Sequence, residues 1–225
     1  MKTIPINNPD FLSEIQKFEK FLDHDKYLKW IMCRGAQFKK EDQKYYTGKE
    51  YLKEILKQGT EHSGFPDYLK SYSLQHQTFK IGEEENNTEK VTSIIDEVYG
   101  MISELELKYG LKNNALFALY PPGGFISWHN NANACAYNLI LTWSENGDGD
   151  FTYLDKSNNK LIRVRDVPGW QCKIGYFGAY NEDKSKLLYH CAKSDCWRMT
   201  ISFVFDRSDT SKMLQDMIID DITSY

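Results

Sequence analysis

The stretch Ala115-Leu-Phe-Ala-Leu-Tyr120-Pro-Pro-Gly-Gly124-Phe-Ile-Ser-Trp-His129 decides how the chain folds. Two short runs of aromatic and aliphatic residues flank Pro121-Pro122-Gly123-Gly124, a tetrapeptide that breaks any helix and closes a tight turn. The same rhythm continues to residue 205. Candidate strands at 136–143, 150–154, 161–165, 171–177, 187–191 and 198–205 are divided by Asn146-Gly147-Asp148-Gly149, Ser157-Asn158-Asn159 and Pro168-Gly169. With 115–120 and 125–129 they make eight short strands, the count and spacing of a jelly roll or double-stranded barrel rather than a parallel sheet.

Upstream the period changes. Phe11, Ile15, Phe18, Phe21 and Leu22 recur at helical spacing behind an Asn8-Pro9-Asp10 start. Tyr51, Leu52, Ile55 and Leu56 repeat the pattern, with Gly59 as the stop. The clearest helix is predicted over 88–109. Val91, Ile94, Ile95, Val98, Met101, Ile102 and Leu105 lie on one face, Asn87 or Thr88 can cap its start, and Gly110 ends it. Residues 65–81 are aromatic without clear period, and 83–87 read as a solvated acidic turn. Residues 208–222 read as a closing helix. The predicted class is α+β, mainly β: a double-stranded β-helix (jelly roll) at 112–206, N-terminal helices at 1–111 packed on it, and a short C-terminal helix at 207–225, together one functional domain.

Composition narrows the function classes. The chain has 225 residues, 41% hydrophobic and 14% aromatic, too apolar for a disordered protein. A mean hydropathy of −0.60 and the lack of a long apolar run argue against a membrane span. The net charge of −4 and pI near 5.8 argue against a nucleic-acid partner. The lysines at 39, 40, 44, 49, 53 and 57 are interspersed with acids, the pattern of a solvated helix face. Cys33, Cys135, Cys172, Cys191 and Cys196 are odd in number and widely spaced, with no apolar leader at the start. Free thiols in the cytoplasm are the expectation.

Histidine and arginine are scarce enough to be informative. Of five His, His129 and His190 fall at the ends of candidate strands, where a jelly roll brings distant segments together at its mouth. Two imidazoles there could share a metal such as Fe, Zn, Cu or Ni. Arg198 begins an otherwise apolar strand, with Thr200 on the same face. A buried guanidinium requires an anion, either a bound carboxylate or a local acid such as Asp195.

The order of these pieces resembles the Fe(II)- and 2-oxoglutarate-dependent oxygenases. Across residues 120–205 it runs Tyr120 followed by Gly123-Gly124, then Trp128-His129-Asn130-Asn131, the hairpin Gly147-Asp148-Gly149-Asp150-Phe151, His190, and Arg198-Met199-Thr200. The resemblance implies Fe(II) bound by His129 and His190. It implies 2-oxoglutarate held at its 5-carboxylate by Arg198 and Thr200, with Tyr120 and Asn138 as further contacts. It implies hydroxylation of a peptide side chain or small metabolite with release of succinate and CO2. Ile140 lies on the strand that often lines the cosubstrate pocket in such enzymes, with Trp143 after it.

The family's carboxylate ligand is replaced here by Asn131. Four readings follow. Asn131 or a water takes that place and hydroxylation persists, as in the aspartyl/asparaginyl β-hydroxylases. A halide fills it. Asp148 or Asp150 supplies the carboxylate. Or the site is inactive and the jelly roll serves protein binding or assembly. The prime substrate and the oligomeric state are not legible. Val204 stands where nucleic-acid demethylases of this family carry a second Arg, and Arg198 stands where prolyl hydroxylases carry Lys.

Overall fold

The computed structural model describes residues 1–32, 40–58, 64–74, 85–131, 136–178, 183 and 186–224. The N-terminal part contains strand β1 (Lys2–Ile4), helix α1 (Pro9–Gln16), a 3-10 segment (Lys17–Leu22) and a π segment (His24–Leu28). Helices α2 (Lys29–Met32), α3 (Lys40–Tyr46) and α4 (Lys49–Gln58) follow, then strands β2 (Leu69–Lys70) and β3 (Tyr72–Ser73) and the long helix α5 (Glu85–Tyr109). Eight strands come next: β4 (Asn114–Tyr120), β5 (Gly124–His129), β6 (Tyr137–Ser144), β7 (Gly149–Asp155), β8 (Lys160–Arg165), β9 (Gly169–Tyr176), β10 (His190–Ser194) and β11 (Arg198–Phe205). Helix α6 (Asp209–Thr223) follows them.

The strands form two antiparallel sheets, ordered β1-β9-β6-β11-β4-β3 and β2-β5-β10-β7-β8. If β4 to β11 are counted from one to eight, the central orders are 6-3-8-1 and 2-7-4-5. That is the pair of interlocked Greek keys that defines a jelly roll. The fold is a double-stranded β-helix with helices at both ends, as the strand count predicts. Among the described residues no helix is long and apolar enough to cross a membrane.

Alternation along β11 separates two environments. Met199, Ile201, Phe203 and Phe205 pack into the main core with Phe11, Phe18, Phe21, Ile94, Val98 and Ile102 from the helices. Arg198, Thr200, Ser202 and Val204 therefore face the other way, between the sheets. There Ile140 from the larger sheet meets Phe151 and Ala192 from the smaller one.

Local signals act as expected at several places. The Asn8 side chain accepts from the N–H groups of Asp10 and Phe11, with Pro9 in the first turn of α1. Gly110 takes φ +68 after α5. At Pro121–Gly124 the Gly124 N–H reaches the Pro121 carbonyl at 2.7 Å, and Gly123 adopts φ +75 as the third residue of the turn.

Three features differ from the sequence reading. Helix α5 begins at Glu85, so Asn87 and Thr88 lie inside it rather than capping it. The N-terminal half adds three short strands to the sheets. His190 opens its strand instead of ending it, because Leu188 is tied to Phe177 and only from His190 does the chain enter register with β5 and β7. Gly59, Cys33, Cys135 and Lys39 lie outside the described residues.

Candidate active site

The larger sheet presents successive inward rows about 7 Å apart, two residues at ~3.3 Å each. Asn138 lies opposite Val204 and Gly175, Ile140 opposite Ser202 and Lys173, Thr142 opposite Thr200 and Gln171, and Ser144 opposite Arg198 and Gly169. In the facing sheet, His190 lies opposite His129 and Tyr153, and Ser194 opposite Gly124 and Gly149. Leu188 N–H bonds to the Phe177 carbonyl at one end, and Asp166 N–H bonds to the Gly149 carbonyl at the other. The histidines are thus placed at the Asn138 end and Arg198 at the opposite, inner end.

The two imidazoles come together as predicted. Their ring centroids are 4.1 Å apart, and Phe151 and Phe177 pack on His190 at 5.3 and 4.8 Å. His129 Nδ1 lies 2.8 Å from the Ser127 carbonyl, and His190 Nδ1 lies 2.9 Å from the Leu188 carbonyl. A carbonyl only accepts, so each Nδ1 carries the hydrogen, and in the neutral ring Nε2 then keeps its lone pair, the tautomer that serves as a metal ligand. Burial, and next the neighbouring His129, hold the His190 pKa well below the ordinary imidazole value, so the ring is neutral.

The third ligand position is different. Asn131 is half-buried in a left-handed conformation, φ +52, and its N–H donates to the Gly64 carbonyl at 2.7 Å. Asn tolerates that region better than most residues, so the position has a backbone requirement of its own. Among the described residues no group of three or more His, Cys, Asp and Glu side chains gathers as a metal site. Asp150 is held by Arg163 and Thr152 and lies one residue off the inward-facing Phe151. Asp148 is exposed on the hairpin.

At the inner end Arg198 is buried, as its strand position implies, and the anion beside it is Asp166 rather than Asp195. Arg198 Nε donates to Asp166 Oδ2 at 2.7 Å, a terminal nitrogen donates to Thr200 Oγ1 at 2.6 Å, and the guanidinium sits 5.3 Å over the Tyr120 ring. Lys173 donates to the other Asp166 oxygen at 3.0 Å, joined there by Gln171 Nε2 at 3.3 Å. Side-chain exposure is 0% for Asp166, 1% for Lys173 and 3% for Arg198. Burial would raise the Asp166 pKa, but Arg198 and Lys173 together hold it below the ordinary value. Burial pushes the Lys173 pKa down against the pull of Asp166.

Sequence reasoning missed Asp166 and Lys173. The one signal for Lys173 was a cation in the middle of the strand that became β9. Asn138 Nδ2 and Thr142 Oγ1 are buried with no hydrogen-bond partner among the described residues. Both stand on inward rows between the two ends. Such orphans carry a desolvation cost that a polar ligand would remove. Ile140 packs between the sheets with Phe151, Phe177 and Ala192, whereas Trp143 packs on the helical side. Cys172, Cys191 and Cys196 are buried free thiols.

No protein-family model matches the chain, and no curated protein matches it. Solved structures with a similar fold include a prolyl-4-hydroxylase from Pseudomonas putida, at 18% identity and TM-score 0.35, covering 69% of this chain and 83% of that one. They also include the dioxygenase for auxin oxidation from Arabidopsis thaliana, at 13% identity and TM-score 0.34, covering 91% and 82%. A cupin domain from Bordetella pertussis matches at 10% identity and TM-score 0.25, covering 41% and 82%. These superpositions are loose, and the fold rests on the strand order itself.

Proposed function

We propose that this chain is an Fe(II)- and 2-oxoglutarate-dependent oxygenase that hydroxylates a peptide side chain or a small metabolite. The balance is substrate, O2 and 2-oxoglutarate to hydroxylated substrate, succinate and CO2. The observation that carries this reading is the inward face between the two sheets, with the imidazole pair of His129 and His190 at one end and the buried Arg198, Asp166 and Lys173 cluster at the other. His129 and His190 would hold iron through their Nε2 atoms, with Asn131 the remaining protein donor. Arg198 and Thr200 would receive the 5-carboxylate, beside Tyr120, and Asn138 would offer its unpartnered amide between the two ends. The orphaned polar atoms in that space fit a polar occupant. Iron, when bound, supplies the oxygen chemistry that no side chain can perform. The protein's part is to fix the imidazole tautomers, exclude water through Phe151 and Phe177, and orient the cosubstrate.

The test is turnover. Incubation with Fe(II), 2-oxoglutarate and candidate peptides or metabolites should form succinate, and His129→Ala should abolish it. A second reading is a non-catalytic jelly-roll module that binds a protein partner. It draws support from the missing carboxylate at Asn131 and from the Asp166 already paired with Arg198. That reading expects no succinate with any substrate and no stabilisation by metal or 2-oxoglutarate.

A further inference from the structure

We propose that the outer face of α6 docks a basic amphipathic helix of another protein, with Met213 and Met217 as its apolar centre and Asp209, Asp216, Asp220 and Asp221 as its charged rim. The surface is separate from the space between the sheets. Helix α6 packs through Ile218 and Ile222 into the core on the helical side of the larger sheet.

On its inner side α6 buries Gln215, Ile218 and Ile222, with Leu214 and Ile219 packed on the core beside them. The outer side of such a helix is ordinarily polar throughout. Met213 and Met217 break that pattern, at 67% and 62% exposure. They stand four residues apart, so their side chains are neighbours on the helix surface. A single exposed apolar residue is ordinary, but an adjacent pair on an otherwise charged face is an apolar strip. The thioether chain is flexible and polarizable, which suits a surface that receives another apolar face.

Charge selects the partner. At about 100° per residue, Asp209, Asp216 and Asp220 fall within about 60° of Met213 on one side. Asp221 falls about 40° beyond Met217 on the other. All four are exposed, and none forms an ion pair among the described residues. Against these four carboxylates the face carries one cation, Lys212. Asp220 and Asp221 also lie near the end of the helix, whose last turn holds no basic residue. Carboxylates there add to the negative end of the helix dipole instead of opposing it. Cations on a docked helix would relieve both terms.

A second copy of the chain is a poor match. Packing α6 on α6 sets acid against acid. On α4, lysines 49, 53 and 57 surround one exposed apolar residue, Leu56, and are interrupted by Glu50 and Glu54. An anionic membrane is repelled by the same carboxylates. A helix with Lys or Arg on both sides of an apolar stripe fits the strip, the rim and the dipole end together. With 15 residues α6 is about 22 Å long, so a partner helix of similar length covers it.

The experiment uses a fluorescein-labelled helix of Leu and Lys, about 15 residues long, with Leu at i, i+3, i+4 and i+7. A control peptide of the same composition spreads its Leu residues round the helix. Binding to the full chain is read by anisotropy at about 0.15 M salt. Wild type should bind the patterned peptide at least about tenfold tighter than the control. Met213→Ser combined with Met217→Ser should weaken that binding at least about tenfold. Asp216→Asn combined with Asp220→Asn should weaken it several-fold and flatten its salt dependence. Urea midpoints of both variants should stay at the wild-type value, because these side chains are exposed. No binding by wild type, equal binding of the two peptides, or unchanged binding in the serine variant overturns the proposal. So does a salt dependence that the Asn substitutions leave unchanged. Sedimentation of the peptide-free chain adds a further arm. A monomer, or a dimer that survives the serine substitutions, leaves the face to the partner helix. A dimer lost in the serine variant assigns the face to a second copy and overturns the proposal.

Discussion

Arg198 Nε donates to Asp166 Oδ2 at 2.7 Å across 32 residues of chain, and both side chains are sealed from solvent. Asp166 is the shared counter-ion of Arg198 and Lys173. Replacing it by Asn leaves two buried cations with no anion. Asp166→Asn should cost about 3–5 kcal/mol of stability, read as a lowered urea midpoint. An unchanged midpoint would show that the cluster is not buried as described. The same carboxyl has a pKa held below the ordinary 3.8 in the folded state. Its contribution is therefore complete above that value and is lost as pH falls through the lower folded one.

His190 makes a prediction nearer neutral pH. Its folded pKa lies well below 6.5, through burial first and then His129. Above 6.5 the ring is neutral in both states and the folded form keeps its full stability. As pH falls below 6.5 the unfolded chain takes up a proton that the folded one refuses. Stability then drops by up to ~1.4 kcal/mol per pH unit until the folded value is reached. Urea midpoints at about pH 7.5 and about pH 5.5 should separate in wild type and converge in His190→Gln. Equal separation in both would contradict the assignment.

Gly149 permits the Asp166 arrangement. A Cβ added there would lie 2.5 Å from Asp166 Oδ2 and 3.2 Å from the Lys193 carbonyl. The carboxylate is pinned by Arg198 and Lys173 and has little room to yield. Gly149→Ala should destabilise the fold by about 1–3 kcal/mol, the range for forcing extra volume into a packed site. Wild-type stability would show that the carboxylate moves freely.

Asn131 offers a neutral oxygen where a carboxylate would balance the charge of Fe(II). Asn131→Asp keeps the side-chain size and its tolerance of the left-handed backbone, φ +52. Metal affinity in the variant should rise by about tenfold or more, measured by anaerobic titration. Unchanged affinity would mean that residue 131 does not reach the metal.

Most of the core strands were legible because they are short apolar runs bounded by Gly, Pro or Asn, and such boundaries are local; β10, expected at 187–191, lies at His190–Ser194, where no such boundary marks it. Asn8 likewise acts through its own side chain on the next turn, and Gly110 and Gly123 through their own backbone. The strands β2 and β3 have two residues each and exist only through their partners β5 and β4, so no periodicity announces them. The histidine pair was legible from its place in the strand order. The partner of Arg198 was not. Asp166 lies on the β8–β9 connection and reaches Arg198 only because the sheets fold over one another, whereas Asp195 is close in sequence alone. Lys173 looked like one polar residue in a strand until the register set it opposite Ile140.

The central claim is that His129 and His190 together bind iron in a chamber that also takes 2-oxoglutarate. Anaerobic calorimetric titration of Fe(II) into wild type, His129→Ala and His190→Ala, with and without 2-oxoglutarate, tests it most directly. The account predicts one site in wild type, tightened by 2-oxoglutarate, and its loss in either variant. No binding in wild type, or binding that survives both substitutions, would contradict it.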